Sequence, residues 1–245
     1  MTDAPRPPRI LIAACCYADA LPAIRVGTDL ARHLGGEIVA ILAEDEAIQR
    51  TAALPFAKAI SQSARTAQAI TPQAMRDAFL RDAGIMRETL ARLTAPSAIG
   101  WSFEHRQGPA LRLLREIAAT GDILLLGHER ASRLAGEIVL IDPSDPVEPR
   151  LLDLGLHIAR QTGRPLRLFV PSTAAPALRQ TLAAQPTRTI AVIEDVADQA
   201  NLNAYLVRER PVALLIASSA GQQMDIEATL ARARCPVIIA ADGVD

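Results

Sequence analysis

Short runs of apolar residues recur along the chain, each separated from the next by a segment with helical periodicity. Several are apolar throughout, which is typical of parallel strands that helices cover on both faces. Trp101–Arg106 alternates instead and is predicted to be a peripheral strand. The other predicted strands are 10–14, 37–43, 123–126, 138–141, 166–170, 190–193, 212–217 and 237–240. Strands that alternate with helices predict right-handed βαβ units and a doubly wound, parallel α/β sheet.

Two of the intervening segments carry clear helix signals. In the first, apolar side chains recur at three- and four-residue steps, with Asp19 as the predicted N-cap and Gly35 as the predicted end. The second is predicted over 72–94, where Thr71 precedes a proline at the first helical position.

The order of strands and helices repeats along the chain. Residues 31–35 match residues 159–163 at an offset of 128, and the same offset brings Ile10 onto Ile138. Further on, 124–127 match 214–217 at an offset of 90. Because the first offset exceeds the second by 38, the first copy is predicted to carry an insertion of that length. Matches in the same order indicate a duplication rather than chance similarity.

The duplication predicts two units, of which the first is less complete than the second. The first, over residues 1–134, is expected to carry the extra residues as a helical insert at about 45–85. The second covers 135–245. Too few residues separate 130 from 137 for a further helix and strand, so the first unit is predicted to be truncated at its C-terminal end.

Composition excludes several classes of function. The 26 basic and 27 acidic residues nearly cancel, which argues against a protein that binds duplex nucleic acid. No apolar run approaches the ~20 residues of a bilayer crossing, so we expect a cytoplasmic protein without a membrane partner. Cys15, Cys16 and Cys235 form no Cys-x-x-Cys motif, which favours buried thiols in a reducing compartment over disulfides. A redox-active or metal-binding role for the adjacent pair is the less favoured alternative.

The segments that carry the repeat resemble the universal stress protein (UspA-like) family. In the first copy these are 9–13, a helix that ends at 29–32, and the stretch from Gly108 to Gly127. In the second copy they are 138–144 and 234–239. The resemblance covers roughly 9–44 and 95–240, and it implies two tandem Usp-like, Rossmann-like units. It also implies the strand order 3-2-1-4-5 in the second unit.

The resemblance implies that the first unit lacks a fifth strand. An unpaired sheet edge readily pairs with another chain. We therefore expect this edge to be covered by the other half of the chain or by a dimer mate, and a homodimer or another protein partner is predicted.

Members of the family that bind ATP use an Asp after the first strand and a Gly-x-x-Gly-x9-Gly-Ser/Thr loop after the fourth. Glycines let backbone N–H groups approach the phosphates, and the following helix start favours anions. In the first copy the Asp position falls on Ala14 or Cys15, and the loop keeps only Gly127, followed by His128 and Arg130. The resemblance thus implies that phosphate binding is lost there.

The second copy retains part of the same motif. The loop after its fourth strand is too short and lacks the final Gly-Ser. The resemblance therefore implies a vestigial nucleotide site, which consists of Asp142, Ser144, Ala217, Ser218, Ser219 and Gly221. ATP or AMP is the ligand that this site could hold; otherwise no cofactor is expected.

Three functional hypotheses remain open. The favoured one is a non-catalytic Usp-like protein that acts in stress response or regulation through binding partners. The second is a nucleotide-binding Usp that uses its second unit. The third, a small-molecule hydrolase using Ser218 or His128, has no Gly-x-Ser-x-Gly motif to support it. The four histidines lie far apart in sequence, so no metal site is predicted.

Overall fold

The structure of the chain is a computed structural model. It describes residues 7–44, 50, 58–60, 67–69, 71–119, 122–128, 136–184, 191–196, 199–209, 211–222, 225–233 and 235–240.

Strands and helices alternate along these ranges. The strands are β1 (Arg9–Ala14), β2 (Glu37–Glu44), β3 (Lys58–Ile60), β4 (Ala67–Ala69), β5 (Trp101–Gln107), β6 (Ile123–Leu126), β7 (Ile138–Ile141), β8 (Leu166–Val170), β9 (Ala191–Asp195), β10 (Ala213–Ala217) and β11 (Val237–Ala240). The α-helices are α1 (Tyr17–Leu34), α2 (Pro72–Thr94), α3 (Ala110–Ile117), α4 (Pro149–Thr162), α5 (Ala175–Ala183), α6 (Gln199–Glu209) and α7 (Ile226–Ala233).

Nine of the described strands form one sheet, in the order β5-β2-β1-β6-β11-β10-β7-β8-β9. Every neighbouring pair is parallel except β6 and β11, which are antiparallel. The sheets predicted for the two halves are therefore continuous. The second half has the expected order 3-2-1-4-5, and the edge of β6 in the first half is covered by β11 of the second.

The strand order is symmetric about β11. In the β1–β2 pair Ile10 lies opposite Ile38, and in the β7–β8 pair Ile138 lies opposite Leu166, which is the same pairing displaced by the first repeat offset. The β1–β6 and β7–β10 pairs likewise preserve the second offset. β11 has no counterpart among the described strands, so a single strand occupies the fifth position for both halves.

Both faces of the sheet are buried, which explains why its central strands are apolar without interruption. Ile10 and Ile12 contact the core on one face, which α1, α2, α4 and α5 cover. Leu11 and Ala13 contact the core on the other face, which α3, α6 and α7 cover. The sheet is thus doubly wound, as predicted.

The predicted start of α1 is wrong, whereas its predicted end is confirmed. The helix begins at Tyr17, so Asp19 lies in its first turn and Cys16 occupies the N-cap position without capping by its side chain. Instead, the Tyr17 N–H donates to Oδ2 of Asp82 in α2, at 2.9 Å. Gly35 ends the helix in the left-handed conformation, with φ of 66°.

The second predicted helix and the peripheral strand are both confirmed. α2 spans Pro72–Thr94, and the Thr71 hydroxyl accepts a hydrogen bond from the Ala74 N–H at 3.1 Å. β5 lies at one end of the sheet.

The extra residues of the first half lie between β2 and β5. Ile38 of β2 pairs with Trp101 of β5, and the equivalent partners in the second half are Leu166 of β8 and Ala191 of β9. The stretch of chain between partners is longer in the first half, and the excess equals the difference between the two repeat offsets. The described part of the 45–85 segment contains the antiparallel β3–β4 pair as well as the start of α2, so the insert is not wholly helical. Residues 45–49, 51–57, 61–66 and 70 of that segment lie outside the described residues.

A buried ion pair joins the amino ends of β1 and β6. The Arg9 guanidinium donates to both carboxylate oxygens of Asp122 and to the carbonyl of Ile117. The side chain of Asp122 is 5% exposed and also accepts from the Ala119 N–H. The buried Asp122 carboxylate and the partly buried Arg9 guanidinium therefore both have several partners, as charges largely removed from water require.

We expect Asp122→Ala to lower the free energy of unfolding by about 3 kcal/mol, because it leaves the partly buried Arg9 guanidinium without its carboxylate. The matched control is Glu116→Ala, which breaks the exposed Arg112–Glu116 pair on α3. That change should cost about 0.5 kcal/mol or less. Urea denaturation at neutral pH measures both, and equal losses would contradict the structural role assigned to Asp122.

Candidate functional site

The topology of the sheet determines where a ligand would bind. The strand order of the second half reverses between β7 and β10, whose following helices lie on opposite faces. Open α/β sheets bind ligands in the crevice at the carboxyl ends of two such strands. Asp142 and Ser144 follow β7, and Ser218 and Ser219 follow β10. The structure therefore brings these predicted site residues together at the carboxyl ends of β7 and β10, the position of the crevice in such sheets.

Asp142 is fully buried, with 0% exposure. Its Oδ1 accepts from the Ser144 N–H at 2.9 Å, and its Oδ2 accepts from the Glu148 N–H at 2.7 Å. Both carboxylate oxygens thus hold the loop that leads into α4. The described geometry gives Asp142 a bracing role at the crevice rather than a solvent-facing one.

The two loops of the crevice are joined by a hydroxyl–hydroxyl contact. Ser144 Oγ lies 3.0 Å from Ser219 Oγ, although the residues are 75 positions apart. Residues Ser218–Gln222, which include Gly221, form a short 3-10 helix directly after β10. Ala217, which precedes this helix, and Ala220, which lies within it, are both buried. The contact therefore joins the β10 loop to the β7 loop.

Ser218 differs from its neighbours. Its Oγ is buried and has no hydrogen-bond partner among the described residues. A buried hydroxyl without a partner costs free energy, about 1–3 kcal/mol by mutational measures. Ser218 is thus the described crevice residue whose buried hydroxyl makes no hydrogen bond.

The equivalent loop of the first half is organised differently. The Gly127 N–H donates to the Ala13 carbonyl at 2.9 Å. A Cβ at Gly127 would lie 2.4 Å from the Asp19 carbonyl oxygen and 3.2 Å from Ala14 Cβ. The glycine therefore permits close packing between the end of β6 and the first turn of α1. His128 follows it and is partly buried, and Arg130 lies outside the described residues.

The candidate loops of the two halves lie at opposite ends of the sheet. β6 runs antiparallel to β11, and β11 runs parallel to β10. The carboxyl end of β6, with His128, is thus far from the carboxyl end of β10, with Ser218. These two residues, each considered for a hydrolase, do not share one site.

Two histidines that lie far apart in sequence are brought together. The rings of His33 in α1 and His157 in α4 stack, with centroids 3.8 Å apart and planes inclined by 18°. His157 Nε2 lies 2.8 Å from Asp29 Oδ2, and His33 Nε2 lies 3.2 Å from Asp153 Oδ2. Asp29 and His157 occupy equivalent positions of the repeat. The repeat offset was the one sequence signal that could have indicated this contact.

A second polar cluster that sequence reasoning missed lies at the amino end of β7. Arg167 in β8 donates to Glu137 Oε2 at 2.7 Å and to Glu194 Oε1 at 2.8 Å. The Tyr205 hydroxyl donates to Glu137, and the Arg167 guanidinium carbon lies 4.8 Å from the centre of the Tyr205 ring. The hydrogen bonds from Arg167 lower the pKa of Glu137, and burial raises the pKa of Tyr205. These four side chains therefore satisfy one another's hydrogen-bonding groups, and they connect three strands to α6.

The thiols lie in environments that suppress their ionisation. Burial raises the pKa of Cys16 to about 12, from an ordinary value of 9.0. Burial likewise raises the pKa of Cys235 to about 12. The thiolate is the reactive form of cysteine, so these two side chains are poor nucleophiles at neutral pH.

Two kinds of feature are missing from the described ranges. No group of three or more His, Cys, Asp or Glu side chains is arranged to hold a metal ion. Among the same residues, no helix combines the length and apolar character needed to cross a membrane.

Comparison with known proteins supports the fold. No protein-family model matches the chain, and no curated protein matches it significantly. The chain is similar to the crystal structure of a universal stress protein from Archaeoglobus fulgidus DSM 4304, with a TM-score of 0.52 and 11% sequence identity over 97% of each chain. The chain has the α/β fold of universal stress proteins. At this identity the similarity establishes the fold and leaves function to be argued from the site.

We expect Gly127→Ala to destabilise the protein by about 1–3 kcal/mol, because the added methyl group overlaps the Asp19 carbonyl. The matched control is Gly84→Ala in α2, where an added Cβ meets no atom within 4 Å. Removing an exposed helical glycine should stabilise by about 0.5–1 kcal/mol. Thermal and urea denaturation report both changes. A neutral Gly127→Ala would show that the close approach is not required.

We expect Cys16 and Cys235 to react slowly with a thiol reagent in the native protein at pH 7.5. A pKa of about 12 in place of 9.0 reduces the thiolate fraction roughly a thousand-fold relative to a free cysteine. Mass spectrometry after timed alkylation identifies the modified positions, and the same reaction in urea gives the unfolded reference. Rapid native modification of Cys16 would restore the redox interpretation of the Cys15–Cys16 pair.

Proposed function

We propose that the chain is a non-catalytic, universal-stress-protein-like protein that acts in stress response or regulation by binding protein partners. The observation that carries this proposal is the crevice between β7 and β10. Its acidic residue, Asp142, is enclosed with both carboxylate oxygens engaged by its own loop. Its two loops are held together by Ser144 and Ser219. We place the protein in the cytoplasm on its cysteine content.

The proposal includes duplication of a single ancestral unit, with copies at 1–134 and 135–245. It is supported by the symmetric order of strands around β11 and by the shared registers of equivalent strand pairs. The helices α1 and α4 also end alike. Gly35 and Gly163 occupy equivalent positions of the repeat, and both adopt left-handed conformations, with φ of 66° and 65°.

The chemistry of phosphate recognition supports a role other than ATP binding. A triphosphate is held by convergent backbone N–H groups of a glycine-rich loop and a helix start. The β10 loop is instead a short 3-10 helix, packed down by the buried Ala220. In the first half, the backbone of Asp19 occupies the space next to Gly127.

The second candidate function is binding of ATP or AMP by the second half. The observation in its favour is the buried Ser218 hydroxyl, which lacks a partner among the described residues and lies at the topological switch point. The Ser144 and Ser219 hydroxyls lie in the same crevice and could donate to a ligand if their mutual contact opened.

Calorimetry with ATP, ADP, AMP and adenosine separates the two candidates. We expect no binding heat from the purified chain, and no nucleotide released when it is denatured and examined by mass spectrometry. The reason is that the Ser144–Ser219 contact and the enclosed Asp142 leave no open anion site among the described residues of the crevice.

Micromolar binding or a co-purified nucleotide would contradict the first proposal and favour the second. In that case Ser219→Ala should weaken binding at least several-fold, since it removes a crevice hydroxyl. The matched control is Ser172→Ala, which changes an exposed serine in the loop after β8. An equal effect of both substitutions would place the nucleotide elsewhere on the chain.

A further inference from the structure

The outer edge of β5 forms one end of the described sheet, and the outer edge of β9 forms the other. β5 contains seven residues and pairs with β2 on one side. It lies at one end of the nine-stranded sheet, and no described strand lies on its other side. A strand at the end of a sheet is a template for pairing with another chain.

Two hydrogen bonds establish which backbone groups of β5 point outward. The Gly100 carbonyl accepts from the Ile38 N–H at 2.9 Å, and the Gly108 N–H donates to the Glu44 carbonyl at 3.0 Å. Successive residues of a strand direct their backbone N–H and C=O groups to opposite edges. The backbone groups of the even-numbered residues of β5 therefore point towards β2. The N–H and C=O groups that point away from β2 belong to Trp101, Phe103, His105 and Gln107.

The side chains of β5 separate into an apolar face and a charged face. Trp101 and Phe103 pack into the core beneath α2, and the His105 ring lies 4.5 Å from that of Phe79. On the opposite face, Arg106 Nε donates to Glu104 Oε2 at 2.7 Å. Their side chains are 37% and 43% exposed. The charged face thus carries one positive and one negative group, two residues apart.

We propose that β5 pairs antiparallel with β5 of a second copy of this chain, about a two-fold axis at His105. In this register His105 lies opposite itself and exchanges both backbone hydrogen bonds with its counterpart, which its outward-facing N–H and C=O permit. Phe103 and Gln107 of one copy pair with Gln107 and Phe103 of the other in the same way. The two sheets become one.

The same register makes the charged faces complementary. Glu104 lies opposite Arg106 of the second copy, and Arg106 lies opposite its Glu104. These are non-hydrogen-bonded positions, where facing Cα atoms are only about 4.5 Å apart and side chains interact most closely. Opposite charges at facing positions stabilise antiparallel strands.

Neighbouring registers are disfavoured by the same charges. An axis at Glu104 would place two carboxylates directly opposite each other, and an axis at Arg106 would do the same for two guanidinium groups. Like charges at facing positions are destabilising. The pair Glu104 and Arg106 therefore selects the His105 register, and this self-complementarity is the reason to assign the edge to a second copy rather than to an unrelated strand.

The proposed dimer does not depend on the function proposed above. A nucleotide-binding protein could pair by the same edge, so the calorimetric result and the assembly result are independent. An edge of seven residues buries less area than the ~1,200 Å² of a standard stable interface. We therefore expect a reversible dimer whose population rises with protein concentration.

Sedimentation equilibrium of the full chain tests the proposal. The wild type should shift from 26.2 kDa towards twice that mass as concentration rises. Glu104→Arg should shift the curve at least ten-fold towards monomer, because it sets arginine against Arg106 of the second copy. The double variant Glu104→Arg with Arg106→Glu restores opposite charges at both facing positions and should recover the dimer.

A control variant and a measurement of folding distinguish loss of the dimer from loss of the fold. Glu116→Arg reverses an exposed charge on α3 and should leave the dimer unchanged. Circular dichroism and thermal melting establish that each variant is folded. A wild type that stays monomeric, a dimer that survives Glu104→Arg, or a folded double variant that remains monomeric would each overturn the proposal. So would a wild type that binds a strand from another protein in place of a second copy.

Discussion

β11 supplies backbone hydrogen-bond partners to two neighbours of opposite direction, and the remaining architecture depends on it. Val237 lies opposite Leu214 in the parallel pair with β10 and opposite Leu126 in the antiparallel pair with β6. Without β11, β6 would present an unpaired and apolar edge. With it, two sets of four strands share one fifth strand. The same geometry turns the halves in opposite directions, which is why their candidate loops lie at opposite ends of the sheet.

The helix contact on one face of the sheet follows from this symmetry. α1 and α4 occupy equivalent places on either side of β11, so equivalent residues meet near the symmetry axis. Asp29 of α1 and His157 of α4 are such residues, and they hydrogen-bond to each other. An identical pair would have placed two carboxylates or two imidazoles together. The two equivalent positions instead carry a carboxylate and an imidazole, which can hydrogen-bond, and the ring of His33 stacks on that of His157.

Most of the fold could be predicted from local patterns in the sequence. The strands, the α2 boundaries, the two offsets and the peripheral position of β5 could be predicted because apolar runs, Thr71 with Pro72, and glycine stops act over a few residues. The misses involve distant partners. The N-terminus of α1 is capped by Asp82, 65 residues away, so no local rule locates it. The residues of the candidate crevice came from the resemblance to the family, which could not show that Asp142 is enclosed by its own loop.

The shared strand also has a consequence for the order of events during synthesis. β11 comes after all the other strands of the sheet in the chain. The hydrophobic edge of β6 therefore stays without its neighbour on the ribosome while the following hundred residues or so are translated, at roughly 5–20 residues per second. An unpaired apolar strand edge of this kind is prone to pair with other chains until β11 has been made. The sheet is thus completed by the member that follows the other eight in sequence.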